Sequence, residues 1–192
     1  KKSITPYFSE KFGNPSSLHS FGQEAMAAID ESREKIAKTV NANFREIIFT
    51  GSATESNNIA LRGIIKSIKY QVLNIKHPRI IISAIEHESI LETCRDLERE
   101  GVEIIYLPVN KHGIVDLKKL KESLNEQTIL VSIMYANNEI GTIQPIADIS
   151  KIINQFKEKN FSIYPLFHTD AVQAFQFLDC DVKKLSVDLM TL

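Results

Sequence analysis

The chain has 192 residues, 43% hydrophobic and 24% charged, which is enough apolar material for one sizeable core. A net charge of -1 gives no electrostatic reason to expect nucleic acid or an anionic membrane as partner, and no apolar run approaches the length of a membrane span. Two isolated cysteines, Cys94 and Cys180, exclude a disulfide framework or a zinc site, so reduced thiols and a cytoplasmic location are the expectation.

Ser20 and Gln23 have capping-box spacing, and Phe21, Ala25, Ala28, Ile29, Ser32, Ile36 and Val40 then recur at helical intervals. That segment is expected to be an amphipathic helix. Short β-rich runs follow at Glu46–Thr50, Arg79–Ser83, Glu103–Leu107, Thr128–Met134, Ile163–His168 and Val187–Leu192. Between them, helices are expected over Ala53–Tyr70, His87–Glu100, Asp116–Leu124 and Pro145–Lys159, with a short turn or helix after Ala171. Strands alternating with helices imply crossover connections and a mainly parallel sheet covered on both faces, an α/β fold in one domain. The chain opens at Lys1 without a methionine, and Val187–Leu192 reads as a buried strand with no covering helix after it. Truncation at both ends is the expectation, since natural termini are usually exposed and polar.

In open α/β sheets, ligands bind at the carboxyl ends of the strands. Four expected strands are followed there by small or polar groups: Gly51–Asn58, Glu86–Ser89, Asn137–Gly141, and Asp170 with Gln173. Their shared location carries more weight than any single motif. The Gly51–Thr54 run opens a helix whose free N–H groups suit a phosphate, and an ordinary Ser- or Thr-capped start explains it equally well. It is neither a P-loop nor a dinucleotide fingerprint, because the following Gly-Lys-Ser/Thr and the three-glycine pattern are both missing.

His87 suits stacking on an aromatic ligand or proton transfer near neutral pH, although a lone histidine at a helix start often does neither. Asn137 and Asn138 suit hydrogen bonds to a ligand, or simple turn chemistry before Gly141. Asp170 follows an apolar strand and should be half buried, either needing a cation or donors or capping the next helix. His19, His77 and His112 read as solvated. Cys94 reads as core, and Cys180, flanked by Asp179 and Asp181, as a poor nucleophile.

Taken in order, Phe12-Gly13-Asn14-Pro15-Ser16-Ser17, Phe49–Asn58 (FTGSATESNN), Glu86-His87, Asn137–Gly141 (NNEIG) and His168–Gln173 (HTDAVQ) resemble the cysteine desulfurases. These belong to the class V aminotransferase-like group of fold-type-I pyridoxal-phosphate enzymes. The resemblance implies a three-layer α/β/α large domain, truncated at both ends and spanning residues 1–192. The cofactor implied is pyridoxal 5'-phosphate. Ala53 and Thr54 would bind its phosphate, His87 would stack on the ring and relay a proton, Asp170 would pair with the pyridine nitrogen, Gln173 would bond the phenolic oxygen, and Asn138 would bond near that oxygen and the substrate carboxylate.

The resemblance further implies L-cysteine as substrate, alanine and an enzyme persulfide as products, and a sulfur-acceptor or iron–sulfur scaffold protein as partner to a homodimer. The family's cofactor lysine, in a Ser-x-His-Lys segment, and its nucleophilic cysteine would lie beyond Leu192, so this chain alone is expected to be inactive. Gly51-Ser52 stands where Ser-Gly is commoner, and the connection over Phe156–Phe167 looks longer than usual. Alternatives are a relative acting on selenocysteine or another amino acid, and a non-catalytic paralogue that binds in sulfur transfer.

Overall fold

A computed structural model of the chain describes residues 2–70, 75 and 77–192. It divides into two units, residues 1–49 and 50–192.

In the first unit, α1 spans Ser20–Val40 as the apolar spacing predicts. Its cap is His19, not Ser20: the His19 backbone is extended, and Nδ1 accepts the Gly22 N–H at 3.3 Å. The Gln23 side chain instead donates to the Leu18 carbonyl at 3.1 Å, so no capping box forms at Ser20. Gly22 is required at this entry, because a Cβ there would lie 2.3 Å from the Ser17 carbonyl oxygen. Ala25, Ala37 and Val40 are buried, whereas Phe21 is 63% exposed.

The expected strand over Glu46–Thr50 is not a strand among the described residues. Phe44–Glu46 is a 3₁₀ turn closed by Asn43 and Glu46, and the residues after it are extended without a ladder partner. Strands require paired backbone groups. Here the Ile47 carbonyl accepts from the Arg33 guanidinium, which also stacks on Phe49 at 4.8 Å and Phe44 at 5.6 Å.

The second unit holds β1 (Arg79–Ser83), β2 (Glu103–Leu107), β3 (Thr128–Ser132), β4 (Leu166–Asp170) and β5 (Leu189–Thr191). They form one sheet in the order β2-β1-β3-β4-β5, every described pair parallel. Helix α2 (Ala53–Tyr70) precedes the first strand, and α3 (Glu88–Arg99), α4 (Leu117–Ser123), α5 (Ile146–Lys159) and α6 (Val182–Leu185) connect the strands in turn.

The apolar run in β1 is continuous because both of its faces are covered. Ile80 and Ile82 pack with Leu61 and Ile65 of α2 and Ile90, Cys94 and Leu97 of α3. Ile81, on the opposite face, packs with Leu120 of α4 and Ile149 and Ile153 of α5. This is the expected three-layer arrangement. At about 25 cal/mol per Å² of apolar surface, each fully buried isoleucine contributes about 2–3 kcal/mol.

The strand bounds differ from expectation for local reasons. β4 begins at Leu166 rather than Ile163 because Pro165 has no N–H to give a ladder, and Ile163 is 71% exposed. β3 ends two residues early, at Ser132. β5 begins only at Leu189: ahead of it, the Asp188 carboxylate takes the Phe167 N–H at 2.7 Å and pairs with Lys157 at 2.9 Å. Of the short turn or helix expected after Ala171 the structure forms turns, and α6 falls outside the expected elements. Its signal is Asp181, whose carboxylate accepts from the Lys183 and Lys184 N–H groups at 2.9 and 3.0 Å.

Candidate functional site

The strand order reverses direction between β1 and β3, and a sheet wound this way opens a crevice beyond the carboxyl ends of those two strands. Hydrogen bonds join the segments that leave this rim. The Met134 N–H donates to Glu86 Oε1 at 2.9 Å, Asn137 Nδ2 to the Ile85 carbonyl at 3.0 Å, and the Tyr135 N–H to the Asp170 carbonyl at 2.8 Å. The segments after β1, β3 and β4 are therefore one connected surface.

Helix α2 starts beneath Ser52, whose Oγ accepts the Glu55 N–H at 3.2 Å, while Glu55 Oε2 returns to the Gly51 N–H at 2.6 Å. Both caps serve their neighbours. Among the described residues the N–H groups of Ala53 and Thr54 have no acceptor, and they stand at the positive end of the helix dipole.

Asp170 ends β4 with 6% of its surface exposed, more buried than expected. Oδ2 accepts from Asn57 Nδ2 at 2.8 Å and Oδ1 from the Val172 N–H at 3.1 Å. No lysine, arginine or histidine reaches it as an ion pair among the described residues. The Val172 bond satisfies the capping reading in part, but a buried carboxylate still lacks a cation.

His87 caps α3, its Nδ1 accepting the Ser89 N–H at 3.1 Å and lying 2.8 Å from Ser89 Oγ. Ser89 Oγ in turn receives the second N–H of Asn57 at 2.9 Å. Asp170 and His87 are thus joined through Asn57 and Ser89. Asn57 and Ser89 lie within the polar runs that drew attention in the sequence, yet nothing in residue type distinguished them from their neighbours.

The two asparagines of the turn after β3 separate in role. Asn137 is buried and spent on the turn, Oδ1 accepting the N–H groups of Glu139 and Ile140, both at 2.9 Å. Gly141, at φ 68, completes it. Asn138 and Gln173 are exposed, and their side chains make no hydrogen bond among the described residues.

Glu86 entered the sequence reading only as a member of the run after β1, with no role of its own. It is 5% exposed, Oε1 accepts from Ser83 Oγ at 2.6 Å and from the Met134 N–H, and Oε2 has no partner among the described residues. Burial, with Asp170 nearby as a smaller contribution, pushes its carboxyl up to about 8, so it is protonated at neutral pH. His168, fully buried between Ser132 Oγ and Thr191 Oγ1, is held down at about 4 by burial and is neutral. His19, His77 and His112 are exposed, as expected. Burial raises Cys94 to about 12, and raises Cys180 with Asp179 adding to it, so neither is poised as a thiolate. For Cys180 burial matters more than the flanking charges.

An unpartnered pair of amides at a helix start and a buried carboxylate without a cation ask for a ligand with an anionic end and a cationic N–H. The aminotransferase class-V family pattern matches residues 2–192. Cysteine desulfurase IscS of Dictyoglomus turgidum is 49% identical over 191 residues, covering 100% of this chain and 45% of that protein. The protein of the same name from Rickettsia massiliae is 44% identical, covering 100% of this chain and 44% of its own length. Among solved structures, a NifS-like protein superposes with a TM-score of 0.89 at 39% identity, over 97% of this chain and 49% of that one. A structure described as SspA in complex with cysteine superposes at 0.87 with 36% identity, over 99% and 52%. The chain spans about half the length of the relatives it matches. No helix among the described residues is long and apolar enough to cross a membrane.

Proposed function

The chain belongs to the aminotransferase class-V family, and from that membership we propose that it supplies part of the large, cofactor-binding domain of a cysteine desulfurase. The cofactor is pyridoxal 5'-phosphate, and the substrate is L-cysteine. The observation that carries this reading is Asp170, a buried carboxylate at the rim with two donors and, among the described residues, no cation. A pyridinium N–H supplies the missing positive partner, and the free N–H groups of Ala53 and Thr54 suit the phosphate. The residues present fit the group.

When bound, pyridoxal phosphate supplies an electron sink for the negative charge left at the substrate Cα. The chain's own residues bind and orient. Ala53 and Thr54 hold the phosphate, and Asp170 keeps the pyridine nitrogen protonated. His87 stacks on the ring and holds a proton at Nε2. Gln173 donates to the phenolic oxygen, and Asn138 reaches that oxygen and the substrate carboxylate. The lysine that anchors the cofactor and the cysteine that takes the sulfur come from the remainder of the protein. The protein works as a cytoplasmic homodimer, passing sulfur to an acceptor or iron–sulfur scaffold protein.

The test is a stoichiometry on the full-length protein loaded with pyridoxal phosphate. L-cysteine and a reductant should yield alanine and sulfide in equal amounts, and Asp170→Asn should lower that rate by orders of magnitude while the protein stays folded. Cofactor-loaded protein that makes no sulfide from L-cysteine would overturn the substrate assignment.

A further inference from the structure

Four side chains from α2, the start of α3 and the end of β4 form one directed hydrogen-bond chain. Asn57 is fully buried, and its amide gives one N–H to Asp170 Oδ2 at 2.8 Å and the other to Ser89 Oγ at 2.9 Å. The amide has only one workable orientation. Turned over, its oxygen would face a carboxylate oxygen. Having accepted from Asn57, the Ser89 hydroxyl has its single proton left for His87 Nδ1 at 2.8 Å, and the Ser89 N–H points at the same nitrogen from 3.1 Å. Two donors on Nδ1 leave no room for a proton there. The imidazole must carry its proton on Nε2.

The chain is also mechanically held. The single Thr93 hydroxyl proton lies between two acceptors, the Ser89 carbonyl at 2.8 Å and Asn58 Oδ1 at 2.9 Å, and Arg62 links Asn58 to Asp96, so α2 and α3 are tied where Asn57 and Ser89 meet. Asn57 Oδ1 has no partner among the described residues. Such a burial cost, about 1–3 kcal/mol, is tolerated where both N–H groups are committed elsewhere.

We infer that Asn57 and Ser89 are positioning residues that tie His87 to Asp170 and hold the imidazole as its Nε2–H tautomer, a hydrogen-bond donor toward the rim. The inference rests on the proposed cofactor site for its functional meaning, but the tautomer itself does not. On that reading Asn57 and Ser89 act through Asp170 and His87, the residues assigned to the cofactor. Their effect is on how the ring is presented, so loss should appear in turnover rather than in substrate affinity.

The experiment uses full-length protein labelled with ¹⁵N-histidine, cofactor-free for the spectrum and loaded for kinetics, with His87→Gln identifying the resonances. In the unsubstituted protein His87 should show an unprotonated Nδ1 and a protonated Nε2. Ser89→Ala leaves only the backbone N–H on Nδ1, so it should raise the population of the Nδ1–H form without making it complete, and lower kcat about tenfold, one hydrogen bond's worth, with KM little changed. Ser89→Thr, which keeps the hydroxyl, should restore both. Asn57→Ala should act like Ser89→Ala where it folds; Ser89→Ala decides the matter where it does not. A protonated Nδ1 in the unsubstituted protein, or a tautomer unmoved by Ser89→Ala, overturns the inference. Tautomer changes without any sulfide production from the unsubstituted protein would leave it standing and overturn the substrate reading instead.

Discussion

Replacing Glu86 by glutamine should stabilise the protein at neutral and alkaline pH, although it removes a carboxyl from the edge of the site. The Glu86 carboxyl titrates near 4.5 when exposed and at about 8 in the fold, chiefly because it is buried. A raised carboxyl keeps its proton in the folded state while the unfolded chain releases it. Stability from this group is therefore fully present below about pH 4.5 and declines as pH rises through about 8. The loss at pH 7 is about 3 kcal/mol, the interval from 4.5 taken at ~1.4 kcal/mol per pH unit. Glutamine is permanently neutral and nearly isosteric. Its oxygen can accept from Ser83 Oγ and Met134 N–H as Oε1 does, and its amide nitrogen replaces an oxygen that already has no partner. That buried N–H₂ returns part of the gain, about 1–2 kcal/mol. The assay is denaturant unfolding of full-length protein and variant at several pH values between about 5 and 8, reading the difference between them so that other titrations cancel. The variant should gain relative stability with rising pH, by about 1 kcal/mol or more per unit. A difference that stays flat across that range would mean Glu86 is ionised in the fold and would refute the argument.

His168 titrates near 6.5 in the unfolded chain and about 4 in the fold, so its contribution is present above about pH 6.5 and is lost as pH falls toward 4, by about 3 kcal/mol in all. A ¹⁵N-histidine titration should find His168 still neutral near pH 5, and a midpoint near 6.5 would show that water reaches it. Gly113→Ala should cost about 1–3 kcal/mol in denaturant unfolding. The residue sits at φ +75, and a Cβ would lie 2.7 Å from Ile140 Cδ1 and 2.9 Å from Thr142 Oγ1; an unchanged midpoint would show that the turn yields. Cys94 and Cys180, 0% and 5% exposed, should resist an aromatic disulfide reagent until the protein unfolds. Rapid modification of either in native protein would contradict their burial.

The parts of the fold that local patterning could reveal are those where one rule acts alone. β1 and β2 lie where the β-rich runs predict, because each is bounded by turn residues; β1 is buried on both faces, while β2, at the sheet's edge, is only partly covered. α2 starts at Ala53 as expected, since Ser52 and Glu55 announce it. The strand expected at Glu46–Thr50 was misread because composition reports extended backbone and not whether a neighbour exists to pair with it. β4 was misplaced because the apolar residues before Pro165 outweighed the donor it lacks. At the rim, Asp170, His87 and the start of α2 stood out as residue types at strand ends. Asn57, Ser89 and Glu86 did not, because their importance comes from contacts between segments far apart in the chain. Asn137 shows the opposite failure: a residue type suited to ligand binding is wholly used by its own turn.

The connection over residues 160–165 enters β4 at its amino end, across the sheet from the rim, and Phe161 at its tip is 99% exposed. That separation makes it a natural attachment point. A fluorophore or surface tether placed on Phe161→Cys would report tumbling, assembly or partner arrival while leaving the crevice unobstructed. Because the chain's two native thiols are buried, the label would find the new cysteine first among these residues.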